Sequence, residues 1–443
     1  MIMRRGFINH QNRFIHWRAV GEGPVVVLLH ESPRSSTSLI PLMTDLSQEH
    51  CCIAIDTPGY GASDPLPGRF LPISDFADTM LEAVTSLGVD TFHLYGTHTG
   101  AALAIELALL APNRVTSLLL DGLAIFSNEE QQRLLSRYLI PQPAEWDGSH
   151  LMRIWSRIRD QALFFPFYDR SSTSLLVPPN QNLQFMLRTC LGFLEARDHY
   201  RDGYQAAIAF DARQKLAALS IPARLHVMEH DLLTPHISRA EGVSFTLEIE
   251  ARPLRPDAWL TKTKEWFAQK NSVFKASSSL PQSAKRHFID TADGPVFLTA
   301  GSGEGMLVRA TLPSIRPAGM YGPPTDSDSA MWFVDAPKFG TNANIDFDIE
   351  LLGQTLLCGI KFEHQAAPSF QCGEVGFDGS FLIKSWFAVR DSLFFEPWCD
   401  YKNPVFSSAK DDIDALSAGH LTLLQAALSP LLHQENDRHR IVD

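Results

Sequence analysis

A histidine set between two glycines, in Tyr95-Gly96-Thr97-His98-Thr99-Gly100-Ala101, is the segment of this chain best suited to chemistry. It follows a run with strand character and opens an Ala-rich helix. Small residues two positions to either side of His98 permit a sharp strand-to-helix elbow, which holds the central side chain on a strained backbone at a helix N-terminus. An imidazole titrates near neutral pH and can itself act as a base. A helix N-terminus opposes positive charge, so the elbow is expected to lower the pKa of His98 and keep the ring neutral. The opposing reading is that a catalytic residue was lost here and His98 is a polar residue left at a turn. Gly96 and Gly100 are still in place, which favours a working site.

Other candidates carry less. Asp121, after the run Ser117 to Leu120, is either an alternative acid or a turn or helix-cap residue. Glu31 and Arg34 either meet a polar substrate or form a mutual surface ion pair, the pair being the better account. His150, His199, His226, His230, His420, His433 and His439 show no ligand spacing, so no metal is expected. Gly21-Glu22-Gly23-Pro24 precedes a strand rather than following one, so it reads as a turn and not a phosphate loop, and no cofactor is expected.

The elements that must position these residues alternate. Val25 to His30, Cys52 to Asp56, Phe92 to Gly96, Ser117 to Gly122 and Ala223 to Glu229 are short apolar runs of the kind buried on both faces of a parallel sheet. Helical periodicity fills Leu39 to Ser47, Ile73 to Leu87 and Ala101 to Ala111. This pattern predicts a doubly wound α/β sheet with right-handed crossovers. About a hundred helical, aromatic-rich residues lie between Gly122 and Ala223, including Trp146, Trp155, Phe164, Phe165, Phe167 and Tyr168. They form either a lid over a site or a packing surface. The aromatic stretch Trp155 to Tyr168 either lines an apolar pocket or packs.

Composition narrows the classes. The chain has 443 residues, 45% hydrophobic and 20% charged, which excludes disordered and fibrous classes. Lys+Arg of 38 against Asp+Glu of 50 gives a net charge of −12, which argues against nucleic acid or an anionic membrane as the main partner. Six cysteines without a C-x-x-C spacing fit a reducing compartment. No apolar h-region follows the basic start, and no run approaches the ~18 apolar residues of a membrane span. A cytoplasmic location is expected.

Asn271 to Ser283 reads as a linker, and the residues after it repeat the beginning of the chain. Gly-Phe-Ile before Gly21-Glu22-Gly23 recurs as His-Phe-Ile before Gly303-Glu304-Gly305, and IDTPGYG (from Ile55) recurs as VDAPKFG (from Val334). Trp146 to Asp169 aligns without gaps to Phe377 to Asp400, with about ten of the twenty-four positions identical. The second copy is short: about forty residues separate VDAPKFG from FDGS, where the first copy uses about ninety. It lacks the stretch that holds the elbow. A sheet without its centre cannot bury both faces, so this copy is expected to dock on the first copy or on another subunit. Trp386 with Arg390-Asp391 is expected to imitate a self-complementary surface of Trp155 with Arg159-Asp160, as a built-in pseudo-dimer partner.

The order of LLHESP (Leu28 to Pro33), DTPGYGASD (Asp56 to Asp64), the elbow, and HDLLTP (His230 to Pro235) resembles the α/β-hydrolase superfamily over residues 5 to about 270. The resemblance implies an α/β-hydrolase fold at 1–270 with a helical cap at about 125–215, a linker at 271–284, and a degenerate repeat at 285–443. It implies that backbone N–H groups of Ser32 and Thr99 form an oxyanion hole, that Asp231 is the acid, that His30 supports its loop, and that His98 holds the nucleophile position. Ser, Cys or Asp is usual there. The family's late histidine is also missing: Glu241 to Phe267 contains none, with Arg252 or Arg255 near its place. A Ser-His-Asp acyl-enzyme is therefore unsupported. His98 would replace two members of the triad at once, reaching Asp231 directly. The expected function is hydrolysis or lyase-type cleavage of a small carbonyl-containing substrate. The alternative is an inactive protein that binds a ligand or partner.

Overall fold

The computed structural model of the chain describes residues 3–268 apart from 178, 180, 181, 229, 230 and 254, then six strands between 286 and 361, residues 375–394, and parts of 413–428. The expected linker at 271–284 lies outside the described residues, as do Pro397, Asp400, His230, His433 and His439.

The chain forms two compact units. In the first, the strands are β1 (Arg4–His10), β2 (Arg13–Val20), β3 (Val25–Leu29), β4 (Cys51–Ile55), β5 (Phe92–Thr97), β6 (Val115–Asp121), β7 (Ala223–Met228) and β8 (Leu247–Arg252). They build one sheet in the order β1-β2-β4-β3-β5-β6-β7-β8. β1 with β2 and β2 with β4 are antiparallel, and every later pairing is parallel. The interior strands β3 and β4 are buried at every residue, as a sheet covered on both faces requires. β8 at the open edge alternates between partly buried and exposed positions, so its sequence carries too weak an apolar signal to mark it as a strand.

Helices α1 (Ile40–Leu46), α2 (Ile73–Ser86) and α3 (Thr99–Leu110) fill the crossovers between these strands. α2 is amphipathic and buries Ile73, Phe76, Ala77, Met80, Ala83 and Val84 at helical spacing. α3 is apolar nearly all round, and its residues Gly100 to Ala108 are all buried. That is why the longest apolar run of the chain is a core helix. Between β6 and β7 lie α4 (Asn128–Arg137), α5 (Ser149–Gln161), α6 (Leu183–Ala196), α7 (Tyr200–Ile208) and α8 (Ala212–Ala217), and α9 (Pro256–Ala268) follows β8. Ser127 opens α4 with a full capping box to Glu130.

The second unit is discontinuous: residues 142–157 and 182–194 cluster with 282–443. The break between 281 and 282 lies inside the expected linker at 271–284, and 142–157 and 182–194 are the further segments that the second unit takes in. The backbone of the second unit has a four-stranded sheet made of β9 (Arg286–Thr291), β10 (Gly294–Ala300), β11 (Leu307–Ala310) and β12 (Met331–Asp335), in the order β11-β12-β10-β9. β13 (Asn344–Leu351) and β14 (Gln354–Lys361) form an antiparallel hairpin that has no counterpart among the sequence-based expectations. Helix α10 (Ser380–Phe394) comes after it. Among the described residues, no helix is long and apolar enough to cross a membrane.

Candidate active site

The strand order turns back on itself around β3, and the parallel strands end together on one side of the sheet. Loops at that edge collect side chains from elements far apart in sequence, which is where ligands bind in open α/β sheets. His98 sits between the last residue of β5 and the first of α3, with φ 50° and ψ −110°. A non-glycine residue in that region is strained, and strain of this kind persists only where the surroundings enforce it. They do so here. The His98 N–H donates to the Asp121 carbonyl at 3.1 Å, and the Ala101 N–H donates to the His98 carbonyl at 3.0 Å. A Cβ at Gly96 would strike the Gly100 carbonyl, and one at Gly100 would strike the carbonyls of Leu29 and His30. The glycines thus let the elbow press directly onto the end of β3.

The imidazole points toward β7. His98 Nε2 lies 3.4 Å from Asp231 Oδ2, long for a hydrogen bond but well within ion-pair range. The His98 side chain is 36% exposed, so a substrate can reach it, whereas Asp231 is 12% exposed. Asp231 is itself held by the Leu233 N–H, which donates to Oδ1 at 2.7 Å. Gly122 has φ +74°, and a Cβ there would come within 3.2 Å of Nε2, so its missing side chain leaves room for the ring.

The expected lowering of the His98 pKa is not what this geometry produces. Burial opposes the charged imidazolium, but the bond and charge of Asp231, with Glu31 and Asp121 behind it, outweigh burial and hold the pKa above its usual value. A carboxylate in contact is stronger than the partial charge of a helix end. Asp231 shifts the other way. Burial would raise its pKa, but His98, the Leu233 N–H and Arg252 bring it below the ordinary carboxylate value.

The two residues expected to supply oxyanion donors stand together, joined to each other. The Ser32 N–H donates to Thr99 Oγ1 at 2.7 Å, and the Thr99 hydroxyl donates to Ser32 Oγ at 3.1 Å. Tyr204 donates its hydroxyl to the Ser32 carbonyl at 2.7 Å. The Thr99 N–H lies in the first turn of α3, where a helix supplies no i−4 carbonyl for it.

Asp121 is neither a helix cap nor a free acid. Its carboxylate is buried and accepts from Tyr95 Oη at 2.9 Å and Arg252 Nη1 at 2.6 Å. Arg252 also stacks over Trp259, 4.0 Å from the ring centroid. Arg255 instead pairs with Asp257 at the surface. Of the two arginines near the place of the missing late histidine, Arg252 is thus the one that belongs to the site. Glu31 and Arg34 do pair, at 3.1 Å. His30 is a loop support: Nδ1 donates to the Glu31 carbonyl at 2.9 Å and Nε2 accepts the Thr57 N–H at 3.0 Å. A second histidine–aspartate contact has no local signature in the sequence. His16 Nδ1 and Asp56 Oδ2 lie 2.8 Å apart, both buried, and Asp56 also accepts from the Ser36 and Ala62 N–H groups. That network ties down the loop after β4.

Residues 24–153 match the family profile described as the α/β hydrolase fold. With the strand order above, the first unit has that fold. Among curated proteins, the chain is similar to (E)-2-((N-methylformamido)methylene)succinate hydrolase of Acinetobacter baylyi, 24% identical over 127 residues, covering 28% of this chain and 48% of the relative. It is also similar to 2-hydroxy-6-oxononadienedioate/2-hydroxy-6-oxononatrienedioate hydrolase 2 of Pseudomonas putida, 34% identical over 117 residues, covering 24% and 40%. The chain thus spans about half the length, or less, of the curated relatives it matches. Among solved structures, it is similar to the enol-lactonase from Burkholderia xenovorans LB400, with a TM-score of 0.47 and 17% identity, over 59% of this chain and 99% of that one.

Proposed function

We infer that the chain is a cofactor-independent hydrolase or lyase that cleaves a small carbonyl-containing substrate, with His98 as the base or nucleophile and Asp231 as its positioning residue. The observation that carries this reading is the strained elbow histidine aimed at a largely buried carboxylate. With Nε2–H facing Asp231, the lone pair of the neutral ring is on Nδ1, which is the atom that would act. In the hydrolytic form, Nδ1 takes a proton from water as the water oxygen bonds to the carbonyl carbon. The carbonyl π electrons move to oxygen, and the Thr99 N–H faces the negative charge that develops there. The tetrahedral adduct then collapses, its bond to the leaving group breaks, and the leaving group takes the proton back from His98. The Ser32 N–H joins only if the Thr99 hydroxyl swings away. Two relatives named as hydrolases of small carbonyl compounds support the reaction class.

The test is turnover of a panel of short esters, lactones and β-diketones by the wild type and by His98→Ala. The expected result is a measurable rate in the wild type and a loss of at least ~100-fold in the variant. A variant within tenfold of wild type removes His98 from the mechanism. Binding of panel members without any turnover would favour a ligand-binding protein instead, the reading to which the occupied Ser32 N–H belongs.

A further inference from the structure

In the second unit, two tryptophans make the same contacts in exchange. Trp155 Nε1 donates to the Phe377 carbonyl at 2.9 Å, and Trp386 Nε1 donates to the Trp146 carbonyl at 3.0 Å. In the gapless alignment Trp146 corresponds to Phe377 and Trp155 to Trp386, so each copy gives what it receives. The ring contacts obey the same rule. Trp155 meets Phe381 edge-on with centroids 5.6 Å apart, and Trp386 meets His150 edge-on at 4.8 Å, where His150 corresponds to Phe381.

The glycines complete the pattern. Gly148 (φ +74°) lies beneath Trp386, where a Cβ would come within 2.9 Å of Cδ1. Gly379 (φ +73°) lies beneath Trp155, where a Cβ would collide with the same atom of that ring. Both turns are built alike. Asp147 accepts from the Ser149 N–H at 2.9 Å, and Asp378 accepts from the Ser380 N–H at 3.3 Å. Both tryptophans are buried, at 1% and 0% exposure.

A contact in which residue i of one segment meets j of the other, and j of the first meets i of the second, is isologous. It has two-fold symmetry, the symmetry by which two identical chains form a closed pair. The backbone of the second unit extends the likeness. The order β9-β10-β12-β11 reproduces β1-β2-β4-β3, with the same two antiparallel pairings and one parallel pairing. Even the register agrees: Trp17 faces Ile55, and Leu298 faces Val334, at corresponding positions of the two copies.

We propose that residues 146–155 and 377–386 are two copies of one self-complementary pairing motif, and that the second copy occupies within the chain the place that another molecule of this chain would take. The motif's natural partner is therefore itself. Disabling the second copy leaves the first complete but unpaired, and it then pairs with the first copy of another molecule.

The test uses the full-length chain. Gly379→Val with Trp386→Ala blocks the seat of Trp155 and removes the knob of the second copy, leaving the first copy intact. Light scattering after gel filtration should show a concentration-dependent doubling of mass relative to wild type. Adding Gly148→Val and Trp155→Ala should abolish that doubling. An unchanged mass in the double variant, or association that persists in the quadruple variant, overturns the proposal. If the double variant is insoluble, Trp155→Phe and Trp386→Phe decide, since each mainly removes the indole donor. Both should lower the melting temperature, by roughly 1–4 °C. A loss in one and none in the other overturns it.

Discussion

His98 and Asp231 shift each other's protonation in opposite directions, and this sets how activity and stability should respond to pH. A base acts in its neutral form, so kcat/KM should fall as pH drops through the His98 pKa, with an inflection above the usual value of about 6.5. Asp231→Asn removes the charge that holds this pKa up. The inflection should move to lower pH while the maximal rate drops by about 10²–10⁴-fold. An inflection that stays in place would show that Asp231 does not act through the imidazole. The stability signs differ between the partners. The raised His98 pKa gives a contribution that is full below about 6.5 and is lost as pH rises through the folded value. The lowered Asp231 pKa gives one present above about 4 and lost as pH falls through its folded value. The melting-temperature gap between wild type and Asp231→Asn should therefore be widest near pH 5–6 and narrow toward pH 9. His98→Ser should show no ester hydrolysis, because the late histidine that would activate a hydroxyl is absent. Robust esterase activity in that variant would reveal a base elsewhere.

The elbow works because β5, α3 and the end of β3 approach closer than side chains permit. Gly100→Ala inserts a methyl against the Leu29 and His30 carbonyls, which are backbone atoms that cannot rotate away. The cost should be about 2–3 kcal/mol, with activity lost as the His98 loop moves. Soluble Gly100→Ala with wild-type melting and rate would contradict this account of the turn. At the neighbouring strand ends, Arg252 from β8 neutralises Asp121 from β6. Arg252→Met strands a buried carboxylate beside Tyr95 and should cost about 2 kcal/mol, discounted from a fully buried pair because Arg252 is partly exposed. Asp121→Asn in the same protein should recover part of that loss. Thermal melts of the single and double variants measure the coupling directly.

The second unit draws on two segments of the insertion between β6 and β7, so no single cut in the chain separates it. Deleting residues 275–443 removes Phe381, whose ring meets Trp155, and Trp386, whose ring meets His150, and leaves Trp155 and His150 without those contacts. A fully buried tryptophan stripped of its partner loses contacts worth about 3–5 kcal/mol. The truncated chain should melt earlier or self-associate, as followed by calorimetry and light scattering. A well-folded monomer with unchanged melting temperature would make the C-terminal part dispensable. Residues 285–443 alone lack residues 142–157 and 182–194 of their own unit and should be insoluble or molten, binding a hydrophobic dye.

Periodicity and punctuation are local, and what they encode was legible in the sequence by itself. Apolar runs placed β3 to β7 within two residues of their observed ends, and the spacing of Gly96, His98 and Gly100 marked the elbow. The family resemblance pointed to Asp231 as the acid, and the repeated segment aligned Trp155 with Trp386. What joins distant positions depended on the tertiary structure. The Asp121–Arg252 pair links residues 131 apart, and the Ser32–Thr99 bond links residues 67 apart. Neither partner carries a local signal of the other, because a buried hydrogen bond is chosen by which strand ends meet. The direction of the His98 shift is of the same kind. Sequence shows the helix end at the elbow, but a carboxylate 3.4 Å away decides the charge, and only folding brings it there.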